Sequence, residues 1–346
     1  MTQAMPPRTQ RRPLRIGACL SLTGKYALFG KQAARGLQAW SALAGDLHLS
    51  IEDDRSEAAG VSMSLRRLAS GSDLLVGPYS TELTRVAATV ASAIDCLVWN
   101  QGGAGDDAQA GAPGRMVSLL TPASRYSLPF LQRAATEDVQ APIFLVHGRG
   151  RFGRQVTAGA EAMAERLRLK TVHLGPDQPL PATEQLSVWD LFCAGSFYED
   201  VARINQARAL PVPPRTVCAV AAGVRQFGSA IVNPQGIFGI AQWFPGAEGP
   251  AGVGPDEARF LAAYFDLFGE SPEYPAVQAA AAAIVSSHCT RLCGETNPAR
   301  LWSAAAALDT STLFGKFMID PATGAQVKHD VQLVRWTASG LVLEDG

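Results

Sequence analysis

The chain is poor in charge. Asp, Glu, Lys and Arg make up 18% of its 346 residues, below the usual quarter. Neither sign prevails: 30 Lys and Arg stand against 31 Asp and Glu, a net charge of -1. Such a balance gives no electrostatic reason to expect nucleic acid or an acidic membrane as partner. No run of about 18 apolar residues occurs, which excludes a spanning helix and direct membrane insertion. Cysteine is scarce, with six in all. Cys19, Cys96, Cys193 and Cys218 lie in apolar strand-like runs, where a free thiol behaves as a small hydrophobe. No spacing suggests a disulfide framework. Cys289 and Cys293, beside His288, lack the further close ligands that zinc requires. No metal and no cofactor is expected. A G-x-S-x-G nucleophile elbow is also missing. The histidines (His48, His147, His173, His288 and His329) have no acid or nucleophile at motif spacing, so nothing here calls for an enzyme.

What is present is apolar and regular. Hydrophobic residues are 47% of the chain, and its length suffices for two domains of ordinary size. Short apolar runs read as strands at Arg15–Ser21, His48–Asp53, Leu74–Gly77, Cys96–Asn100, Met116–Leu120, Ile143–His147, Thr171–Leu174, Val188–Ala194, Val217–Ala221 and Ile237–Gln242. Amphipathic helical runs lie between them. Buried strands alternating with helices imply an α/β fold of mostly parallel, doubly wound sheets. Ten strands in one core is unusual, so two lobes are expected. Pro255, Pro275 and Pro298 each stand where a helix can begin, and three successive helices follow Pro245. Residues 313–346 close with strand signals at Phe314–Ile319 and Val331–Trp336. The reading by residue is 14–121 for lobe one, 122–244 for lobe two, 245–325 for helices returning to lobe one, and 326–346 for a closing strand and tail on lobe two.

One turn concentrates the polar chemistry. Asp73-Leu-Leu-Val-Gly-Pro-Tyr-Ser-Thr81 reads as a buried strand, a tight turn and a helix opening at Ser80 or Thr81. Hydroxyls there cap orphan N–H groups, and the same groups hold an anion such as a carboxylate. The turn contains no lysine, histidine or metal ligand. It suits holding a small polar solute.

Four stretches together resemble a known family. They are Arg15-Ile-Gly-Ala-Cys-Leu-Ser-Leu-Thr-Gly24 with Phe29-Gly30 and Gly36-Leu37; Leu75-Val-Gly-Pro-Tyr-Ser-Thr81; Trp99-Asn-Gln-Gly-Gly-Ala104; and Phe314-Gly315, Phe317-Met-Ile-Asp320 and Thr323-Gly324 with Arg335-Trp336 and Gly340. In order and spacing they are similar to the solute-binding proteins of the type I periplasmic-binding fold, in particular the leucine-binding branch for branched-chain amino acids and amides. The resemblance implies two lobes joined by a three-strand hinge, closing on a solute in the cleft. It implies a substrate-binding component of an ABC-type amino acid transporter, with a permease as partner, or a cytoplasmic amide or amino-acid sensor that regulates a protein partner. The solute would be an amino acid, an amide or a related carboxylate.

The resemblance also distributes roles. Ser80 and Thr81 would hold the solute's polar end, with Tyr79 a secondary wall. Gly102 and Gly103 would let backbone approach the guest, and Ala104 stands where amino-acid binders often place a hydroxyl. Phe29 and Phe152 would cover the apolar part, with Phe197 second in rank. An acid expected near Val220-Ala-Ala-Gly-Val224 is missing from that stretch, and the neighbouring Arg225 would favour an anion instead. Asp53-Asp54 reads as structural or at the cleft rim, and Asp106-Asp107 as solvated. A remote alternative is a nucleotide-dependent enzyme using Gly148-Arg-Gly-Arg-Phe-Gly153, which fits G-x-G-x-x-G but lacks the acid that should end the next strand. Residues 1–13 are basic (Arg8, Arg11, Arg12) without the apolar middle of a signal peptide. The expectation is a cytoplasmic chain as given, or a periplasmic or extracellular one if an upstream signal is missing.

Overall fold

A computed structural model describes residues 12–137, 140–180 and 188–344; the basic opening with Arg8 and Arg11 lies outside the described residues. Lobe one is built on β1 (Leu14–Leu20), β2 (Leu47–Asp53), β3 (Leu74–Val76), β4 (Val98–Asn100) and β5 (Met116–Ser118). They form one all-parallel sheet in the order β2-β1-β3-β4-β5. Between them run α1 (Ala27–Ala44), α2 (Ala58–Ala69) and α3 (Thr81–Ala93). The order reverses between β1 and β3, and ligands of open α/β sheets bind at the carboxyl ends of strands beside such a switch.

Lobe two has α4 (Leu128–Glu137), β6 (Ile143–His147), α5 (Arg151–Leu167), β7 (Thr171–Leu174), β8 (Asp190–Ala194), α6 (Phe197–Arg208), β9 (Thr216–Ala219), α7 (Phe227–Ala230) and β10 (Phe238–Ala241). Its sheet runs β14-β13-β10-β9-β8-β6-β7. The last two strands, β13 (Gln332–Thr337) and β14 (Gly340–Leu343), are antiparallel additions. The sequence reading missed β14, because a four-residue edge strand carries little periodicity.

Three helices separate β10 from these additions: α8 (Glu257–Phe268), α9 (Tyr274–Cys293) and α10 (Pro298–Ala306). Pro275 and Pro298 stand in the first turns of their helices. Pro255 does not. Asp256 caps α8 instead, its carboxylate accepting from Arg259 N at 2.7 Å. A small antiparallel pair follows, β11 (Thr310–Thr312) with β12 (Gly315–Phe317). The helix α9 is buried continuously from Pro275 to Ser287 and packs along α1. A Cβ on Gly36 would lie 1.9 Å from the Ala276 carbonyl oxygen. Glycine on α1 and the alanine run 279–283 on α9 therefore let the two axes approach closely. The alanines are small for packing as well as good for helix propensity.

The chain passes between lobes three times, near Thr121, Gln242 and His329, and these three side chains are tied together. Gln242 Oε1 accepts from Thr121 N (3.1 Å), and its Nε2 donates to Thr121 O (3.2 Å) and to Tyr126 Oη (2.6 Å). His329 Nε2 faces the Phe314 carbonyl at 2.9 Å and so carries the proton. Its Nδ1 lies 2.7 Å from Thr121 Oγ1. Gln326 joins the knot by donating to Leu119 O and accepting from His329 N. All four are buried.

Burial pushes the His329 imidazole down to about 4, from an ordinary value of 6.5. Arg125 also lowers it, while Asp330 and the bond to the Phe314 carbonyl act in the opposite sense. The folded state then binds fewer protons than the unfolded chain between those values. The contribution is intact above the unfolded value and is lost as pH falls toward 4. Wild type should lose roughly 2 kcal/mol more than His329→Gln between about pH 7 and pH 5. Urea titrations of both proteins at the two pH values measure it, and parallel losses would refute the assignment.

Candidate functional site

Strand β3 hands over to α3 through a constrained turn. A Cβ on Gly77 would meet the Cys19 carbonyl oxygen at 2.0 Å, and its φ is +113°, so glycine is required. Ser80 has φ +82° and ψ 148°, a region natural to glycine and costly for serine. Neighbouring bonds hold it there. Ser80 N donates to Gly102 O (2.9 Å) and Thr84 N to Ser80 O (3.0 Å). The strain aims the first turn of α3, whose leading N–H groups have no carbonyl four residues earlier.

The hydroxyls of this turn retain donor capacity. Thr81 Oγ1 accepts from Gly105 N at 3.0 Å, so its proton is left for another partner. Ser80 Oγ accepts only a long bond from Leu83 N, 3.4 Å. Capping and solute binding are thus compatible, since the caps use oxygen lone pairs and leave the protons.

The loop after β4 is organised by Asn100, which sequence reasoning missed. Its Oδ1 accepts from Gly102 N (3.2 Å) and Gly103 N (2.8 Å), and its Nδ2 donates to Gly103 O and Ser118 Oγ, both at 2.8 Å. Those two glycine N–H groups are spent inside the protein. The glycines are needed instead for close packing: a Cβ on Gly102 would lie 2.6 Å from Pro78 O, and one on Gly103 2.2 Å from Thr84 Oγ1. Ala104 is buried, and its carbonyl accepts from Ala123 N at 2.6 Å. This corrects the expectation that backbone here is free to meet a guest.

Aromatic side chains cluster beside the β3–α3 turn and at the start of α5. Phe29 on α1 stacks on Tyr79, with ring centroids 4.5 Å apart and planes 3° from parallel. Tyr26 lies against the same ring at 5.9 Å. Tyr79 Oη is 3.4 Å from Tyr274 Oη at the start of α9. From lobe two, Phe152 meets Tyr126 edge-on at 5.2 Å. Phe197 does not join them. It packs against the separate lobe-two core of Phe144, Leu191 and Trp336, with the exposed Tyr198 edge-on to it at 5.4 Å.

Charges bridge the cleft. Arg151 and Gln155 on α5 reach Asp107 of lobe one at 3.3 Å and 2.7 Å, Arg151 also approaches Glu82 at 3.6 Å, and Arg85 lies 3.5 Å from Asp107. Asp107 is therefore a clasp between lobes, not a solvated loop residue. Asp106 accepts from Ser124 N at 3.2 Å. Asp53 and Asp54 hold the loops after β1 and β2. Asp53 accepts from Leu22 N, Thr23 and Arg55 N, and Asp54 from Ser21 Oγ and Ser56 N.

The family model of a periplasmic binding protein matches residues 13–340. The chain belongs to the periplasmic binding protein family. Among solved structures it is similar to the leucine-binding protein LivK of Thermotoga maritima (TM-score 0.81, 14% identity, 96% of this chain and 98% of that one). It is also similar to the branched-chain amino acid transporter substrate-binding protein LivJ of Streptococcus pneumoniae in complex with isoleucine (TM-score 0.77, 16% identity, 96% and 99%). A third is a solute-binding protein of an ABC transporter from Rhodopseudomonas palustris in complex with 3,4-dihydroxybenzoic acid (TM-score 0.76, 15% identity, 96% and 95%). No curated protein matches the chain.

Periplasmic binding proteins hold solutes and are not enzymes, so the dinucleotide reading of Gly148–Gly153 gives way. The structure supplies the physical reason. Glu199 lies over that loop, with Oε1 accepting from Arg149 N at 3.0 Å and Oε2 from Ser196 N at 2.8 Å. These bonds hold it below the usual carboxylate range against the opposing effect of desolvation, so a negative charge already stands where a phosphate would bind. Arg225 is likewise committed. Its Nε and N donate to Glu273 Oε1 (3.1 Å and 2.6 Å), and its Nη2 donates to Ser271 O. It ties the lobes together and is not a free cation awaiting an anion. The backbone of the stretch 220–224 is instead tied to an acid from α6. Asp200 accepts from Ala221 N (3.1 Å) and Gly195 N (2.6 Å). Burial pushes it up to about 7, and the side chain is shut off from solvent with each oxygen turned to a backbone N–H of its own lobe.

Proposed function

We propose that this protein binds a small carboxylate solute between its lobes and presents the closed form to the permease of an ABC transporter. The observation that carries this reading is the excess of donors at the start of α3. Among the described residues the Thr81 and Ser80 hydroxyl protons and the N–H groups of Thr81 and Glu82 have no acceptor, Leu83 N has only the long bond to Ser80 Oγ, and the nearby carboxylates of Glu82 and Asp107 are already paired with Arg85 and Arg151. Helix N-termini favour negative charge, and bonds to an ionised acceptor are about twice as strong as neutral ones. Phe29 and Phe152 suit an apolar middle portion. Isoleucine and 3,4-dihydroxybenzoic acid, the guests of the two similar proteins, are both carboxylates. Micromolar affinity needs only about -8 kcal/mol.

A thermal-shift screen against amino acids, amides and short carboxylates tests the reading. At a hundredfold excess over Kd a true solute adds about 2.7 kcal/mol, worth roughly 4 °C for a chain of this size. A screen in which no carboxylate raises Tm removes the reading. Delivery to a permease requires export. Recovery from the cytoplasm alone on cell fractionation would overturn the transport role and favour a sensor.

A further inference from the structure

The orientation of Gln242 is decided by groups that cannot change role. Its Oε1 faces the Thr121 backbone N–H, a fixed donor, and its Nε2 faces the Thr121 carbonyl, a fixed acceptor. The second N–H of Nε2 then has to donate to Tyr126 Oη at 2.6 Å. The phenol oxygen is the acceptor in that bond, so its own proton must go elsewhere. Among the described residues Tyr126 Oη has no other hydrogen-bond partner. The same count applies across the cleft. Of the two phenols in the Tyr79–Tyr274 pair only one proton is used between them, and the other is spare. These groups belong to different lobes, yet they act on one another: burial chiefly pushes the Tyr126 and Tyr79 phenols up, and Tyr274 adds to the rise at Tyr126 as Tyr126 does, to a lesser degree, at Tyr79. Two spare phenolic protons therefore converge on the interlobe space, and a buried donor left unpaired costs about 1–3 kcal/mol.

We propose that Tyr126, with the Tyr79–Tyr274 pair, reads a second oxygen acceptor at the far end of the solute. This rests on the carboxylate reading above and narrows it. The guest is a carboxylate that also carries a hydroxyl, keto or second carboxylate oxygen, in place of the plain aliphatic tail of leucine. One end is held by the α3 turn of lobe one. The other meets donors from both lobes, so the bond completes only when the lobes close. A site built to hydrogen-bond an oxygen discriminates strongly against the analogue that lacks it, because its polar groups are then left unpaired.

The test is calorimetric titration of wild type and of Tyr126→Phe with two matched pairs, benzoate against 4-hydroxybenzoate and butyrate against succinate. In wild type the oxygen-bearing member of at least one pair should bind about tenfold tighter, and Tyr126→Phe should shrink that ratio below threefold. Tyr79→Phe serves as a second variant, with a ratio expected between the two. Circular dichroism confirms that each variant is folded. Equal affinities within both pairs, or a preference that survives in folded Tyr126→Phe, would overturn the proposal while leaving carboxylate binding intact. If none of the four acids binds wild type, the carboxylate reading itself fails, and this inference with it.

Discussion

Replacing Ser80 and Thr81 together by alanine should weaken solute binding on the order of 100-fold, while the protein still folds. On the proposed reading, the double substitution removes two hydroxyl donors from a bound carboxylate. A hydrogen bond to a charged group is worth about 1.5–3 kcal/mol, and 1.4 kcal/mol is a factor of ten in affinity. The cost to folding is smaller. Losing the Ser80 cap costs about 1 kcal/mol, less than usual here because the Ser80 Oγ to Leu83 N bond is already long at 3.4 Å. Thr81 Oγ1 supports Gly105 N, and water can take over that role once the methyl-sized side chain opens the site. Titration calorimetry with the best acid from the thermal-shift screen reads the affinity, and urea unfolding reads the stability. An unchanged Kd in the folded double variant would remove the α3 turn as the anchor.

Replacing Gln242 by leucine should destabilise the protein by roughly 4 kcal/mol, although the two side chains are similar in size. The reason is the number of groups orphaned at once. The Thr121 N–H, the Thr121 carbonyl and the Tyr126 oxygen all depend on this one amide. Thr121 and Gln242 are almost wholly excluded from solvent, so water cannot substitute. Each buried polar group left without a partner costs about 1–3 kcal/mol. Networks of this kind are costly when only partly satisfied. Because the amide joins two of the three crossings, the loss should also loosen one lobe against the other. Urea unfolding should show the lower midpoint, and small-angle scattering a wider molecule. A midpoint unchanged from wild type would mean that the crossings are held together by other contacts.

The alternation of apolar runs was enough to read the fold. Ile143–His147 and Thr171–Leu174 form strands with the expected ends, and α3 spans Thr81–Ala93 as read, because a buried parallel strand and an amphipathic helix impose different periods on adjacent residues. The start of α3 was legible for a related reason: a cap is a local device, formed by residues within one turn of each other. The rest of the cleft was not. Nothing in the chain near Tyr126 mentions Gln242, which stands 116 residues away. Arg225 looked like a lone cation because Glu273 is 48 residues distant. The glycines at 102 and 103 looked like an open approach for backbone, and only Asn100 and Thr84 in place show them to be filled. Asp200 is four residues into α6, yet it serves the stretch at 220–224 across a strand connection.

Read alone, the amino acids determined two lobes of mostly parallel sheet, a helix start rich in hydroxyls, and the likeness to solute-binding proteins. Periodicity, capping and composition are short-range properties and can be read along a line. The tertiary structure decided which polar groups remain free. That depends on pairing between residues far apart in sequence: Asn100 consumes the glycine N–H groups, Glu273 neutralises Arg225, and Gln242 forces the Tyr126 proton outward. Hydrogen-bond capacity is limited at each atom, so what a site offers a guest is the remainder after folding has taken its share.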